Sequence, residues 1–222
     1  MRRNKAIPSS REWAMEIVSF ACSKDATRYN LAGYNVEPNR IVATDGARLA
    51  WQEFGPIVPD SYHGLIDGEG NPAAGEFPDY KAVLPGSPNV VFHVSQDGDR
   101  LPALKTIARL HKQPFGELAY DGENLTVSLK TTFPDVALKL TIPVAAGDPK
   151  PFKLGINLGY LYDAIDGAKR SDGRGHWYAR VSIVDHVSPV QIDNTNGFYS
   201  ITMPCRCDGS FVSTAEQPKQ AA

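Results

Sequence analysis

Apolar positions recur along this chain with two different periods, which predict helices in some segments and strands in others. Between residues 13 and 21 they recur at helical intervals, and Ser9 lies three residues before Glu12, which is the spacing of a capping box. The same period predicts helices over residues 101–112 and 157–168. Each helix gathers its apolar residues on one face, so all three are expected to pack against a core.

Strands are predicted where short runs of β-branched and aromatic residues stand between turn residues. Pro38-Asn39 and residues 121–124 mark two of these turns. The predicted strands cover residues 29–36, 40–51, 90–94, 116–120, 125–129, 137–143, 177–184, 187–193 and 198–204. This mixture of helices and hairpin-connected strands predicts an α+β fold with antiparallel sheets.

Proline and glycine concentrate between Gly55 and Pro88, which predicts an extended connector with little regular structure. The chain therefore divides into a first domain with its connector over residues 1–87, a second domain over 88–210, and a flexible polar tail over 211–222. Both domains follow a helix with paired strands, which hints at an internal repeat.

Composition indicates an ordinary soluble globular protein. Of the 222 residues, 42% are hydrophobic and 22% are charged, and no apolar run is long enough to span a membrane. The basic start is not followed by an apolar stretch, so no signal peptide is predicted, and three cysteines are too few for a disulfide framework. A cytoplasmic location is the resulting expectation. The net charge of −2 argues against an overall basic nucleic-acid binder but allows a locally basic face.

Recognisable catalytic motifs are missing from the sequence. The five histidines share no metal-ligand spacing with the cysteines, and no nucleophile elbow or Walker loop is present. Asp67-Gly68-Glu69-Gly70 is predicted to be a plain turn. No catalytic residue, cofactor or metal is therefore predicted, and the chain looks like a binding scaffold instead of an enzyme.

One predicted helix carries a basic stripe. Lys105, Arg109 and Lys112 are spaced so that they lie on the side opposite the apolar face, and Lys169-Arg170 ends the next helix. Such a stripe is typical of a solvated helix face.

Several segments together resemble the bacterial DNA polymerase III beta sliding clamp, and they occur in the family's order. They are residues 27–33 (TRYNLAG), 42–50 (VATDGARLA), 75–85 (GEFPDYKAVLP), 155–161 (GINLGYL), 188–192 (SPVQI) and 199–206 (YSITMPCR). The resemblance implies a clamp-like fold of two repeats, with antiparallel sheets and helices on one face. The first repeat is similar to the clamp's middle domain and the second to its C-terminal domain.

The match also departs from the family, whose chains have three domains and close a six-domain ring as dimers. The first domain is absent here, and the middle domain is abridged between Trp51 and Phe77. A trimer of two-domain subunits would still supply six segments, so the resemblance allows a homo-oligomer without assuring ring closure.

In the family, polymerases, clamp loaders and repair proteins dock short peptides between the middle and last domains. Carried over by position, the resemblance implies that the peptide-binding residues are Arg28, Leu31, Thr44, Gly46, Arg48, Leu49, Pro78, Val83, Ile201, Met203, Pro204 and Arg206. The aliphatic members would form an apolar cleft, and the arginines would pair with polar peptide groups. Ala47 stands where the family commonly has histidine. The alternative is that these are core and turn residues of a decayed clamp.

Helices of the family line the ring and contact duplex DNA. The resemblance therefore implies DNA-binding roles for Lys105, Arg109, Lys112, Lys169 and Arg170, and more weakly for Tyr29. The leading interpretation is a processivity or tethering factor that binds duplex DNA independently of sequence and docks partner peptides. The alternative is a clamp-like adaptor or decoy that binds those peptides without encircling DNA.

Overall fold

The structure, a computed structural model, describes residues 10–25, 27–28, 30–55, 62–95, 100–109, 115–129, 139–146, 151–173 and 176–205. Its helices are α1 (Arg11–Val18), α2 (Arg100–Arg109) and α3 (Leu158–Asp172), with 3-10 turns at Ser19–Ala21 and Tyr80–Val83. The strands are β1 (Tyr34–Glu37), β2 (Arg40–Thr44), β3 (Arg48–Glu53), β4 (Gly64–Ile66), β5 (Val90–Ser95), β6 (Phe115–Tyr120), β7 (Asn124–Leu129), β8 (Lys139–Ala146), β9 (Phe152–Asn157), β10 (Tyr178–Ile183), β11 (Val190–Asp193) and β12 (Phe198–Thr202).

These strands join into one antiparallel sheet with the order β4-β1-β2-β3-β12-β11-β10-β5-β8-β7-β6-β9. Several pairs are hairpins between successive strands, but β3 pairs with β12, which lies far away in sequence. In that pair Leu49 stands opposite Ile201. The two parts of the chain therefore share a continuous sheet, while the predicted boundary between residues 87 and 88 remains a prediction.

All three helices pack against one face of the sheet, and the main hydrophobic core lies between them. Ile17, Ile107 and Ile165, one from each helix, are buried there together with Phe92 and Phe198 from the sheet. Burying each such side chain contributes about 1.5–3 kcal/mol. We call this side the helix-covered face and the other side the open face. The predicted α+β class, with antiparallel sheets and helices on one face, is confirmed.

Helix α1 begins one residue later than the predicted cap implies. Ser10 is the N-cap, and its hydroxyl oxygen accepts a hydrogen bond from the Trp13 backbone N–H at 3.1 Å. Ser9, the predicted capping residue, lies outside the described residues. The capping residue is therefore a serine, as predicted, but it stands one position later in the chain.

The predicted strand over residues 40–51 is wrong, because the chain turns back within it. β2 ends at Thr44 and β3 starts at Arg48, and Gly46 between them has a φ of +91°. Such a left-handed conformation is readily adopted by glycine and breaks a strand. The preceding strand, predicted over residues 29–36, begins only at Tyr34.

The predicted connector contains regular structure that its composition conceals. β4 pairs with β1 at the edge of the sheet, and a 3-10 turn follows Asp79, whose carboxylate accepts a hydrogen bond from the Lys81 N–H. Asp67 also accepts hydrogen bonds from Glu69 N–H and Asn71 N–H, which confirms the predicted turn. Residues 56–61 lie outside the described part of the chain.

The described residues after position 88 follow the predicted elements closely, with one strand missed. This strand is β9, which the sequence pattern does not separate from α3 because the strand runs directly into the helix. Asn157 both ends the strand and caps the helix. The predicted strand over residues 187–193 starts at Val190, since the Asp185 carboxylate accepts hydrogen bonds from two N–H groups and forms a turn. The tail over residues 211–222 lies outside the described residues.

Candidate functional site

A tight turn between β2 and β3 forms one wall of the candidate site. The Asp45 carboxylate accepts hydrogen bonds from the backbone N–H groups of Ala47 and Arg48 at 2.9 and 3.0 Å. The Thr44 hydroxyl donates to the Arg48 carbonyl at 2.7 Å and accepts from the Gly46 N–H at 3.1 Å. These contacts satisfy the polar groups of the turn and fix its shape.

The end of β12 lies beside this turn. Beyond the strand, the Met203 N–H donates to the Ala47 carbonyl at 2.9 Å, so the chain continues along the turn. Leu49 and Ile201 are buried at 3% and 1% exposure, whereas Met203 is 38% exposed. An exposed methionine therefore stands next to a buried aliphatic pair.

A small apolar cluster occupies the open face at this position. It consists of Val42, Leu49, Trp51, Tyr80 and Ile201, with Phe77, Leu84 and Tyr199 packed against it. Trp51 and Tyr199 stack with ring centroids 3.9 Å apart. We call this group the open-face cluster.

Residues 77–84 cover part of the open-face cluster and form a second wall. Tyr80 is buried, and its hydroxyl donates to the Glu37 carboxylate at 2.7 Å. Burial, followed by this hydrogen bond and the negative charge of Glu37, raises the pKa of Tyr80, so the phenol stays protonated. Three residues further on, Val83 is 46% exposed. Pro78, in the same segment, is also exposed.

Arg28 borders the turn from the segment before β1, in which Leu31 also lies. One terminal NH2 group of Arg28 donates to the Asp45 carbonyl at 3.3 Å, and a Cβ added to Gly46 would lie 3.6 Å from it. Arg28 is exposed and Leu31 is partly buried. Gly46 therefore leaves space beside an exposed guanidinium.

Arg48 points away from this site, although the sequence assigned it to peptide binding. Its guanidinium forms ion pairs with Asp45 at 2.9 Å and with Asp163 of α3 at 2.7 Å. It also lies 4.1 Å from the Tyr160 ring centroid and 5.4 Å from that of Phe20. With 8% of the residue exposed, Arg48 joins the turn to the helices on the other side of the sheet.

Solved structures of bacterial replication clamps are similar to this chain. The Caulobacter crescentus beta sliding clamp matches 87% of this chain and 62% of its own length, with a TM-score of 0.69 and 21% sequence identity. The DNA polymerase III subunit beta of Pseudomonas aeruginosa matches 93% of this chain and 69% of its own length, with a TM-score of 0.74 and 18% identity. The chain has the fold of a bacterial sliding clamp.

The likeness rests on structure alone. No protein-family model matches the sequence, and no curated protein matches it. The chain spans 62% of the Caulobacter clamp, so the clamp fold here is established for part of that protein's length. The predicted resemblance to sliding clamps is confirmed at the level of the fold.

Within the clamp fold, the peptide-binding residues predicted from sequence fall into distinct groups. One group surrounds the β2–β3 turn and the end of β12, and it comprises Arg28, Thr44, Gly46, Leu49, Ile201, Met203 and Pro204. Leu31 lies in the segment before β1, where its N–H donates to the Arg28 carbonyl. Pro78 and Val83 belong to the second wall. Arg48 is directed into the helix-covered side, and Arg206 lies outside the described residues. Their roles in peptide binding remain predictions.

The predicted DNA-binding residues that the structure describes, Lys105, Arg109, Lys169 and Arg170, stand on helices with different charge balances. α2 has three basic residues and no acidic one in its sequence. α3 carries three aspartates against Lys169 and Arg170, and α1 carries two glutamates against one arginine. On α2, Arg109 is exposed, and the Lys105 Nζ lies 6.0 Å from the Tyr162 ring centroid. α2 is therefore the basic helix among those described.

The two basic residues near the end of α3 are already engaged. The guanidinium of Arg170 donates to the carbonyls of Glu16 and Ile17 at 3.2 Å each and pairs with Asp166 at 3.3 Å. The Lys169 Nζ lies 5.8 Å from the Trp177 ring centroid. Arg170 thus fastens α3 to the C-terminal end of α1, where carbonyl groups lack partners within the helix. Tyr29 and Lys112 lie outside the described residues.

Sequence reasoning missed the aromatic part of the site. Trp51 and Tyr199 form the floor of the open-face cluster, and Tyr80 fastens the second wall. For Trp51 the sequence did contain a signal, because Leu49 and Trp51 alternate with the small Ala50 along β3. This alternation puts the two large side chains on the same face of the strand. Among the described residues, no set of His, Cys, Asp and Glu side chains is placed to hold a metal ion, and no helix is long and apolar enough to cross a bilayer.

Proposed function

We propose that this protein is a non-enzymatic, clamp-like tethering factor that docks short hydrophobic peptides of polymerase, clamp-loader or repair partners. One observation carries the proposal: Val83 and Met203 are exposed beside the buried open-face cluster on a sliding-clamp fold. Large exposed apolar side chains next to an apolar floor are suited to receive the anchor residues of a peptide. We call the surface between them the docking groove.

Calorimetry with a clamp-binding peptide of a bacterial polymerase tests this proposal. We expect micromolar binding that weakens when the hydrophobic anchors of the peptide are replaced by alanine. Phe115 supplies a matched control, because it is 41% exposed on β6, which lies six strands away from β12 in the sheet, and Phe115→Ala should bind normally. Failure of the wild-type protein to bind any such peptide would remove the proposed function.

We further propose that α2 contacts duplex DNA through its phosphates. The three basic residues of α2, which has no acidic residue in its sequence, support this role, and such contacts are independent of base sequence. Because the guanidinium of Arg170 is hydrogen-bonded to carbonyls of α1, we expect Lys105 and Arg109 to contribute more to DNA binding than Arg170 does.

Reversing both charges, Lys105→Glu with Arg109→Glu, should weaken binding to a short duplex roughly tenfold at low salt. The slope of log affinity against log salt should fall by about two, since each phosphate contact releases about one counterion. Fluorescence anisotropy over a salt series measures both quantities. The matched control is Lys81→Glu with Lys153→Glu, two exposed lysines outside α1, α2 and α3, and it should keep most of the slope. Equal losses in the two double variants would contradict a specific role for α2.

The second candidate function is an adaptor or decoy that docks partner peptides without encircling DNA. The acidic residues of α1 and α3, and the engagement of Arg170, favour it because they reduce the positive charge available to DNA. Sedimentation at several concentrations separates the two functions. A closed oligomer with salt-dependent DNA binding supports the tethering factor, whereas a monomer that binds peptide but not DNA supports the adaptor.

A further inference from the structure

A polar pocket opens on the open face of the sheet, three strands away from β3. Its volume is about 450 Å³, and its lining residues come from β5, β10, β11 and the loop that follows β11. They are His93, Tyr178, Arg180, Asp193, Asn194 and Thr195. Nothing in the proposed docking or DNA contacts uses these residues.

A buried carboxylate holds Arg180 in place within this pocket. The Arg180 Nε donates to both oxygens of Asp193, at 2.9 and 3.2 Å, and Gln191 donates to the same carboxylate at 2.7 Å. Asp193 is 8% exposed, whereas half of the Arg180 side chain is exposed. Because both contacts to Asp193 use Nε, the two terminal NH2 groups of Arg180 keep donors for another acceptor.

Two rings form another part of the wall. The His93 and Tyr178 rings meet edge to face with centroids 5.6 Å apart, and His93 lies directly opposite Arg180 in the pairing of β5 with β10. A preorganised guanidinium beside an imidazole is an arrangement that recognises an oxyanion.

We propose that this pocket binds a carboxylate from an acidic residue of the partner segment that docks in the groove. The identity of the partner rests on the proposed function, but the anion site does not. The two exposed terminal NH2 groups of Arg180 match the two oxygens of a carboxylate, and Asp193, whose charge offsets part of that of Arg180, leaves the site without the surplus positive charge that a doubly charged phosphate needs. Duplex DNA would need several cations at phosphate spacing, and the pocket presents one guanidinium.

The register of the sheet gives the distance between pocket and groove. Arg180 stands opposite Asp193, Asp193 opposite Tyr199, and Tyr199 opposite Trp51. Three strand spacings separate Arg180 from Trp51, which is about 14 Å, or about four residues of an extended peptide. The acidic residue is therefore expected about four positions from the hydrophobic anchor.

Two peptide pairs test the inference, each pair differing only by Asp or Asn four residues before or after the anchor. One Asp peptide should bind the wild-type protein about fivefold more tightly than its Asn twin, as expected for an exposed ion pair. Arg180→Met should abolish this preference without changing the affinity of the Asn peptide. Lys153→Met, which removes an exposed positive charge from β9, should retain it. Equal binding of Asp and Asn peptides to the wild-type protein overturns the inference.

Acetate distinguishes a failure of the pocket from a failure of the groove. If no peptide binds, the proposed function fails, and sodium acetate then decides the anion site. Saturable shifts of the Asn194 and Thr195 amide resonances that disappear in Arg180→Met support the pocket, and their absence overturns it. Stronger shifts with inorganic phosphate than with acetate overturn the assignment to a carboxylate.

Discussion

Replacing Arg48 by methionine is expected to lower the free energy of unfolding by about 3 kcal/mol. The guanidinium is almost fully buried between Asp45 and Asp163 and packs against two aromatic rings. Removing one partner of a buried ion pair typically costs about 3–5 kcal/mol, because the remaining charge stays desolvated. The lower end applies here, since 39% of the Asp163 side chain is exposed and can be rehydrated. Methionine keeps the apolar stem, so the loss reports on the charge.

Urea denaturation measures this loss directly, and the thermal midpoint should fall by about 6–12 °C for a chain of this size. Lys153→Met is the matched control, because its partner Glu117 is 3.8 Å away and 65% of the lysine side chain is exposed. It should cost less than about 1 kcal/mol. If Arg48→Met is as stable as the control, the ion pairs contribute nothing net. Asp163→Asn should be milder than Arg48→Met, since it retains a hydrogen-bond acceptor.

The elements predicted correctly are those whose signal is local. The helix over residues 101–112 matches α2 over its described length because its apolar residues repeat every three or four positions, and the core then buries Leu104 and Ile107. The hairpin turn at Pro38-Asn39 is equally local. Each such prediction needs only a few neighbouring residues.

Long-range contacts explain what the sequence could not predict. The pairing of β3 with β12 joins residues about 150 positions apart, and no periodicity within either strand identifies its partner. Asp163, the partner of Arg48, is 115 positions away. Successive side chains of a strand point to opposite faces, so Arg48 and Leu49 on β3 face opposite sides of the sheet. This alternation indicates that the two side chains do not belong to one groove. The resemblance placed both there because it transfers positions and not side-chain directions.

The second wall of the site was concealed for a different reason. Its residues lie in the proline- and glycine-rich segment, whose composition favours an irregular connector. The segment is instead held to the sheet by Tyr80, whose hydroxyl reaches Glu37 across 43 positions. An aromatic residue within a proline-rich segment is a weak signal by itself, and it gains meaning only from the sheet beneath it.

Met203→Ala is expected to weaken binding of a clamp-binding peptide about thirtyfold. The side chain borders the docking groove beside Ile201 and Leu49, and a well-packed anchor contact contributes on the order of 2 kcal/mol. Because 38% of Met203 is exposed without a partner, the stability of the protein should fall by only about 1 kcal/mol, less than for a fully buried methionine. Calorimetry and thermal denaturation on the same preparations measure both effects.

Phe115→Ala is the control for Met203→Ala, since it removes an exposed apolar side chain from β6, six strands away from β12 in the sheet. A loss of affinity confined to Met203→Ala, with the backbone hydrogen bond from residue 203 to the Ala47 carbonyl retained, assigns the effect to the side chain. Val83→Ala should then also weaken binding, because it removes the other exposed apolar side chain beside the open-face cluster, and the double variant measures whether the two side chains contact the same anchor. Normal affinity in Met203→Ala would mean that the peptide lies elsewhere on the fold, and the open-face cluster would then be solely structural.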